Sequence, residues 1–433
     1  MYFTLGLFIV IHPYQRTSRF VDPIELSPLS FLLTFIIINP SFVREQPMQL
    51  DINGLTPAAF LAQYWQKKPL VIRQGFKHFQ DLVSPEELAG LAMDELVESR
   101  RVYQQAGQWH AEFGPFDSYE ELGERDWTLI VQALNNWLPD AEALIQCFDF
   151  IPRWRFDDVM VSYATPGGGV GPHIDLYDVF ICQGSGRRRW RVGDRGPHRE
   201  FAAHPALLHT EAFEPIIDTE LLPGDILYIP PGFPHDGITL EESLSFSVGY
   251  RTASAKDMVS ALADHLSEHD LGAQQIEDPD RQISSRSGCV DKADLARLRT
   301  QLTQVLNDDL VSEFSGRYLT QSKCALDLPD ESLDITQDEV LAWLDEQPLI
   351  RLGGLRCLYF EISLVKGIVF INGERYQLPA EFAEVIPLLC DGSLLSKAAL
   401  APWLNNAEFR AQLTEWVNLG YWYFDDLSDG DDE

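Results

Sequence analysis

The run Gly-Pro-His-Ile-Asp at 171–175 sets His173 and Asp175 two residues apart. On a strand, side chains at i and i+2 share a face, so an imidazole and a carboxylate at this spacing can reach one ion. A third ligand is needed, and His235 ends the proline-rich run PGDILYIPPGFPH at 223–235. Two histidines and one carboxylate on one face of an ion leave three positions open, the facial triad of non-haem Fe(II) oxygenases. A His-x-Asp pair alone is weak evidence, since its plainer explanation is a surface or packed histidine. Three neighbours strengthen it: the Gly-rich loop GGGVG at 167–171, a strand and turn suited to returning His235, and an arginine directed inward.

That arginine is Arg188. Along RRRWRV, strand alternation groups Arg188 with Trp190 and Val192, and sets Arg187, Arg189 and Arg191 on the opposite face. The first face is mostly apolar and expected to be buried. A buried guanidinium needs a partner, and a bidentate carboxylate is its natural mate. An internal Asp or Glu would serve, and a fully solvated basic run would need none. Beside an iron triad, the carboxylate of a dicarboxylic cosubstrate fits better. Ser162, on the alternating strand DVMVSYA with Asp158 and Met160 on its face, can add a hydroxyl contact.

A competing cluster comprises His198, Glu200, His204 and His209. Its stretch, GPHREFAAHPALLHT, reads as polar and irregular, without an alternating apolar frame, so these are read as loop histidines. The glycines at 167–171 precede neither a helix nor a Lys-Ser/Thr pair, which makes them backbone clearance rather than a phosphate loop.

The elements that must position these residues are short strands joined by Gly/Pro turns from about Asp157 to Arg251, a β-sandwich or jelly-roll pattern. Upstream, Thr56 caps a helix to about Trp65 and LVIRQG reads as a strand. Ser84-x-x-Glu87 and Ser118-x-x-Glu121 read as capping boxes that start helices, and RRVYQQAGQWHAEF as a hairpin turning at Ala106–Gly107. After Arg251 the character changes. Residues 255–271 and 290–311 carry helical periodicity of a kind that packs against a second copy of the chain. A smaller α+β module begins at about Pro329.

The 433 residues are enough for two or three domains, and 45% hydrophobic content excludes full disorder. A formal net charge of −33 repels phosphate backbones, so direct nucleic-acid binding is not expected, whereas a basic protein partner is attracted. Six cysteines without a C-x-x-C pair are read mostly as buried core thiols of a reducing compartment. The apolar runs MYFTLGLFIVIHPY and SFLLTFIIINP each fall short of the ~20 residues that cross a bilayer. Residues 1–47 are accordingly expected to be a misassigned or non-native extension ahead of Met48, and no membrane association is expected.

The motifs PGGGVGPHIDLYDVFICQGSGRRRWRVG and PGDILYIPPGFPHDG closely resemble those of the JmjC-type, cupin-like bacterial ribosomal oxygenases. The likeness extends to WQKKPLVIRQGF, SPEELAGLAMDE, LIRLGGLR and NLGYWYF, and so spans about Met48 to Phe424. It implies an α+β chain with a double-stranded β-helix (jelly-roll, cupin/JmjC) core at 48–254. A helical dimerisation region at 255–328, a winged-helix-like domain at 329–426 and an acidic tail at 427–433 complete the expected organisation. The resemblance also implies Fe(II) on His173, Asp175 and His235, 2-oxoglutarate held by Arg188 and Ser162, and O2 as oxidant. Its implied substrate is an arginine of the basic sixteenth large-subunit ribosomal protein, hydroxylated at the β-carbon by a cytoplasmic homodimer. An arginine substrate needs an acidic or aromatic cradle, for which Asp158 and Tyr177 are the candidates. The alternatives are a histidyl hydroxylase of another ribosomal protein, a lysyl demethylase, and a cupin-like binding protein without activity.

Overall fold

The computed structural model describes residues 48–283 and 285–425. The expected extension at 1–47, with its apolar runs, and the expected tail at 427–433 lie outside the described residues. In chain order the strands before residue 251 are β1 (Leu70–Ile72), β2 (Ser99–Gln105), β3 (Gln108–Phe113), β4 (Trp127–Val131), β5 (Phe156–Ala164), β6 (His173–Ile174) and β7 (Asp178–Gln183). They continue with β8 (Arg188–Gly193), β9 (Glu200–His204), β10 (Leu207–Thr210), β11 (Pro215–Leu221), β12 (Ile226–Ile229), β13 (Pro234–Thr239) and β14 (Ser243–Tyr250). A large antiparallel sheet runs β1-β12-β7-β14-β5-β4-β2-β3, and a smaller one runs β11-β8-β13-β6. Together they form a jelly roll.

The core explains why the centre of β7, Val179–Cys182, is an unbroken apolar run. All six residues of β7 are buried, because each of its faces meets a different layer. Val179 and Ile181 join Trp190, Val192, Leu227 and Ile229 between the sheets. Phe180 and Cys182 join Phe60, Phe148, Tyr228 and Phe246 on the outer side. Three short helices feed that outer layer: α1 (Pro57–Gln63), α2 (Pro85–Leu91) and α3 (Ala141–Gln146). Thr56 caps α1, and Ser84 and Glu87 form a reciprocal capping box on α2.

Four expectations are corrected. Ser118 starts no helix: its Oγ accepts from the Glu120 N–H in a local turn, and the Trp127 indole takes the carbonyl of Gly123 just beyond. The periodic run 290–311 is not one helix. It is split into α5 (Lys292–Gln304) and α6 (Asp308–Thr320), because Asn307 turns its side chain onto the Leu310 N–H and caps a new helix. The stretch holding His198, Glu200, His204 and His209 is not irregular, since β9 and β10 pair within it as a hairpin. The cysteines are also less buried than expected: Cys182 and Cys390 are buried, Cys147, Cys324 and Cys357 half-buried, and Cys289 exposed.

After β14 comes α4 (Ala255–Glu268), capped by Ser254. Helix α6 lies on the strand Ile368–Ile371, where Gly316 gives room to the Phe370 ring. The C-terminal module holds two three-stranded sheets and its own core around Leu344, Val369, Trp416 and Trp422. Among the described residues no helix is long and apolar enough to cross a membrane.

Candidate active site

β6 and β13 pair antiparallel with His173 directly opposite His235, and Asp175 lies two residues beyond His173. His235 Nε2 lies 3.6 Å and His173 Nε2 3.9 Å from Asp175 Oδ2. Among the described residues these three form the one group of metal-ligating side chains with ligand atoms all within 4.8 Å of one another. Each imidazole donates its Nδ1 proton to a main-chain carbonyl: His173 to Gly171 at 2.9 Å and His235 to Phe233 at 3.0 Å. That fixes the tautomer and leaves both Nε2 lone pairs turned to the shared point. Burial, reinforced by His173, pushes His235 down to about 4, so it is a neutral donor near neutral pH rather than half of an ion pair. Two imidazole nitrogens and one carboxylate fit a single divalent ion with open positions.

A cavity of about 280 Å³ opens from this point between the two sheets. Arg188 projects into it from β8 and is 5% exposed. Its Nη1 donates to Ser162 Oγ at 2.8 Å and its Nε to Ser243 Oγ at 3.1 Å; Nη2 reaches the carbonyls of Ser162 and Ser243. It makes no ion pair with any described residue. Burial alone pulls it down to about 10, which leaves it charged near neutrality. An internal charge without a counter-charge is destabilising, and a ligand carboxylate would relieve it. The outward arginines are paired instead: Arg187 with Glu220 and Glu241, Arg189 with Asp218, Arg191 with Asp236.

Asp158 and Tyr177 line the same cavity. Asp158 accepts from Gln132 Nε2 and, at 3.1 Å, from the Ala133 N–H. Burial and the adjacent Asp157 raise its pKa above the usual aspartate range. The Tyr177 phenol donates to Asp175, and burial with the Asp175 and Asp158 carboxylates raises it far above its ordinary value.

Several residues of the cavity escaped the sequence reading. Arg100 faces it from β2, and its buried Nε has no partner among the described residues; Thr128 Oγ1 and Trp190 Nε1 are in the same position. The alternation that singled out Arg188 also sets Arg100 on the face of the buried Val102, a signal that was available. Leu207 and His209 of the β9–β10 hairpin form a wall. His209 Nε2 lies 2.8 Å from the Val170 carbonyl, to which it donates, and the ring meets Trp109 edge-on, so it is a packed wall residue, not a ligand. The loop glycines do provide clearance. A Cβ on Gly171 would stand 2.3 Å from the His209 ring, and one on Gly169 2.4 Å from the Gly237 carbonyl.

A jelly roll carrying this ligand set defines a JmjC-type protein, and the JmjC domain model matches residues 143–258. A ROXA-like winged-helix model matches residues 297–423. The chain belongs to the JmjC-type ribosomal oxygenase family. It is 42% identical over 368 residues to the ribosomal protein uL16 3-hydroxylase of Escherichia coli, an alignment covering 84% of this chain and 97% of that one. It is 33% identical to a probable ribosomal oxygenase of Haemophilus influenzae, over 82% of this chain and 90% of that one. Among solved structures, the Escherichia coli ribosomal oxygenase YcfD in complex with cobalt and 2-oxoglutarate superposes with a TM-score of 0.79. That match has 40% identity and covers 88% of this chain and 100% of that one.

Proposed function

We propose that this protein is a cytoplasmic Fe(II)- and 2-oxoglutarate-dependent oxygenase that hydroxylates the β-carbon of an arginine in the sixteenth large-subunit ribosomal protein. The observation that carries the reading is Arg188, a buried guanidinium without an acidic partner among the described residues, in the cavity of a His-Asp-His ligand set. His173, Asp175 and His235 hold the metal. Arg188, steadied by Ser162, takes the far carboxylate of the cosubstrate. Bound iron would supply the activation of O2 and the oxidation of cosubstrate and substrate. The protein's own part is to hold and exclude. Asp158 and Tyr177 clasp the substrate guanidinium at one side of the cavity, Tyr177 also steadies Asp175, and the β9–β10 hairpin with Trp190 keeps water out. The names of the relatives support a ribosomal-protein substrate, and the acidic pocket residues favour arginine.

The acidic surface suits a basic ribosomal protein and disfavours nucleic acid. A homodimer is supported by α5, where Leu295, Leu298 and Leu302 stand exposed at helical spacing, a stripe that a second copy would cover. The test is incubation of the Fe(II)-loaded chain with 2-oxoglutarate and the ribosomal protein. One added oxygen localised to arginine is expected. Oxygen on histidine, or loss of a methyl group from lysine, would overturn the arginine reading, and absence of 2-oxoglutarate turnover would overturn the enzyme.

A further inference from the structure

The C-terminal module grips both flanks of Asp158. On one flank, Arg356 Nη1 donates to the Phe156 carbonyl at 3.0 Å, and Nη2 donates to the Asp157 carbonyl at 2.7 Å and to Asp157 Oδ1 at 3.2 Å. Lys323 adds an ion pair to the same carboxylate. These contacts fix the residue immediately before Asp158. On the other flank, Gln132 and Ala133 donate to Asp158 Oδ2, and Asn135 Oδ1 accepts from the Val159 N–H at 2.8 Å. This segment is seated on the module and on the chain leading into it. Asn136 Nδ2 donates to the Ala325 carbonyl at 2.9 Å, and the Gly353–Gly354 backbone lies flat against it. A Cβ on Gly353 would stand 2.3 Å from the Asn135 carbonyl, and one on Gly354 2.1 Å from Asn136 Oδ1.

The arrangement also handles charge. Asp157 and Asp158 are neighbours, and a bare Asp157 would oppose ionisation of a buried Asp158. Arg356 and Lys323 pair with the Asp157 carboxylate, and the Arg356 charge favours the Asp158 carboxylate, partly offsetting the opposing charge of Asp157. Between the two parts lies a cavity of about 670 Å³. Gln132, Asp158 and Tyr177 line both it and the metal cavity, so the clamp sits where the two meet.

We propose that Arg356 is a positioning residue for substrate recognition. By holding Asp157 and the start of β5, it sets the Asp158 carboxylate for the substrate guanidinium, which makes the C-terminal module part of the substrate site. The inference rests on the proposed substrate role of Asp158. The effect is one of geometry at a distance: Arg356 does not touch the substrate.

The full-length chain with Arg356→Ala is expected to raise KM for the ribosomal-protein peptide about tenfold, with kcat and the affinity for 2-oxoglutarate unchanged. Arg356→Lys recovers part of the loss. The double variant with Asp158→Ala is expected to be no worse than Asp158→Ala alone, because the two act as one unit. Lys323 is half exposed, so Lys323→Ala leaves the fold intact and moves KM the same way by about twofold to threefold. If Asp158→Ala raises KM but Arg356→Ala and Lys323→Ala do not, or if the losses at 158 and 356 add in full, this inference alone fails. If Asp158→Ala leaves KM unchanged, the substrate role of Asp158 fails and takes the inference with it. An equal fall in peptide-free 2-oxoglutarate turnover would mark Arg356 as merely structural.

Discussion

Gly-Pro-His occurs at 171–173 and again at 196–198, each time with a carboxylate two residues on, and the two copies end in opposite circumstances. The first histidine enters β6, stands opposite His235 and has its Nδ1 tied to the Gly171 carbonyl. The second stands in an exposed loop, with Nε2 on the Asp194 carbonyl and no facing ligand among the described residues. The difference lies in the frame. A ligand pair becomes a site when a neighbouring strand supplies the third donor and an adjacent cavity supplies room for a ligand.

The comparison can be broken most directly at the histidines. His173→Ala is expected to lower 2-oxoglutarate turnover by about a thousandfold or more, and His198→Ala to change it by less than about twofold. Similar losses in both would erase the distinction. Next in size is the arginine on the strand between the two copies. Arg188→Ala should weaken 2-oxoglutarate binding by about a hundredfold in calorimetry. Arg189→Ala, on the outward face beside Asp218, should leave that affinity unchanged.

A smaller effect is expected at the carboxylates. Asp158→Ala raises peptide KM about thirtyfold with peptide-free turnover retained, whereas Glu200→Ala, after the second copy, leaves KM as it was. The sign with pH comes from burial. Because the Asp158 pKa is raised, its charge is lost on acidification earlier than that of an ordinary aspartate, so peptide KM rises as pH falls through that raised value. The smallest effect belongs to the glycines. Gly171 has φ of +81° and no space beside the His209 ring, so Gly171→Ala costs about 1–3 kcal/mol in a denaturant titration. An added Cβ on Gly196 meets only His198 at 3.9 Å, and Gly196→Ala is expected to stay within about 0.5 kcal/mol of the parent.

The features legible in the sequence are those governed by one local period. Alternation along β8 separates Arg188 from Arg189, and the His-x-Asp spacing puts two donors on one face. The same period was legible at Arg100, but its meaning depends on register across β2, β4 and β5, which set Arg100, Ile130 and Ser162 in one row. Register between distant strands is not written in any one of them. The Ser118 box shows the opposite limit. Its letters match a helix start, yet Gly123 stands where a helix would have to continue, and its carbonyl is claimed by the Trp127 indole. At 290–311 periodicity ran through a boundary because Asn307 can serve as a cap or as a helix residue, and only the turn of its side chain decides which. The β9–β10 hairpin was illegible for a related reason: its first strand is largely exposed, and the polar residue that lines the cavity, His209, is packed by Trp109, far away in the chain.

The rung that joins His173 to His235 has a consequence for how such a chain can diverge. The chain from 176 to 233 runs between the two ligand-bearing strands and carries, besides sheet strands, the β9–β10 hairpin that walls the cavity. Insertions or deletions at the hairpin tip leave that rung in place, so the wall that meets a substrate can be rebuilt without reinventing the metal centre. A single-residue deletion inside β13 does the reverse: it turns His235 to the other face of the sheet and removes a ligand at a stroke. The lineage is therefore free to explore new substrates by changing loop length, and is held to its chemistry by strand parity.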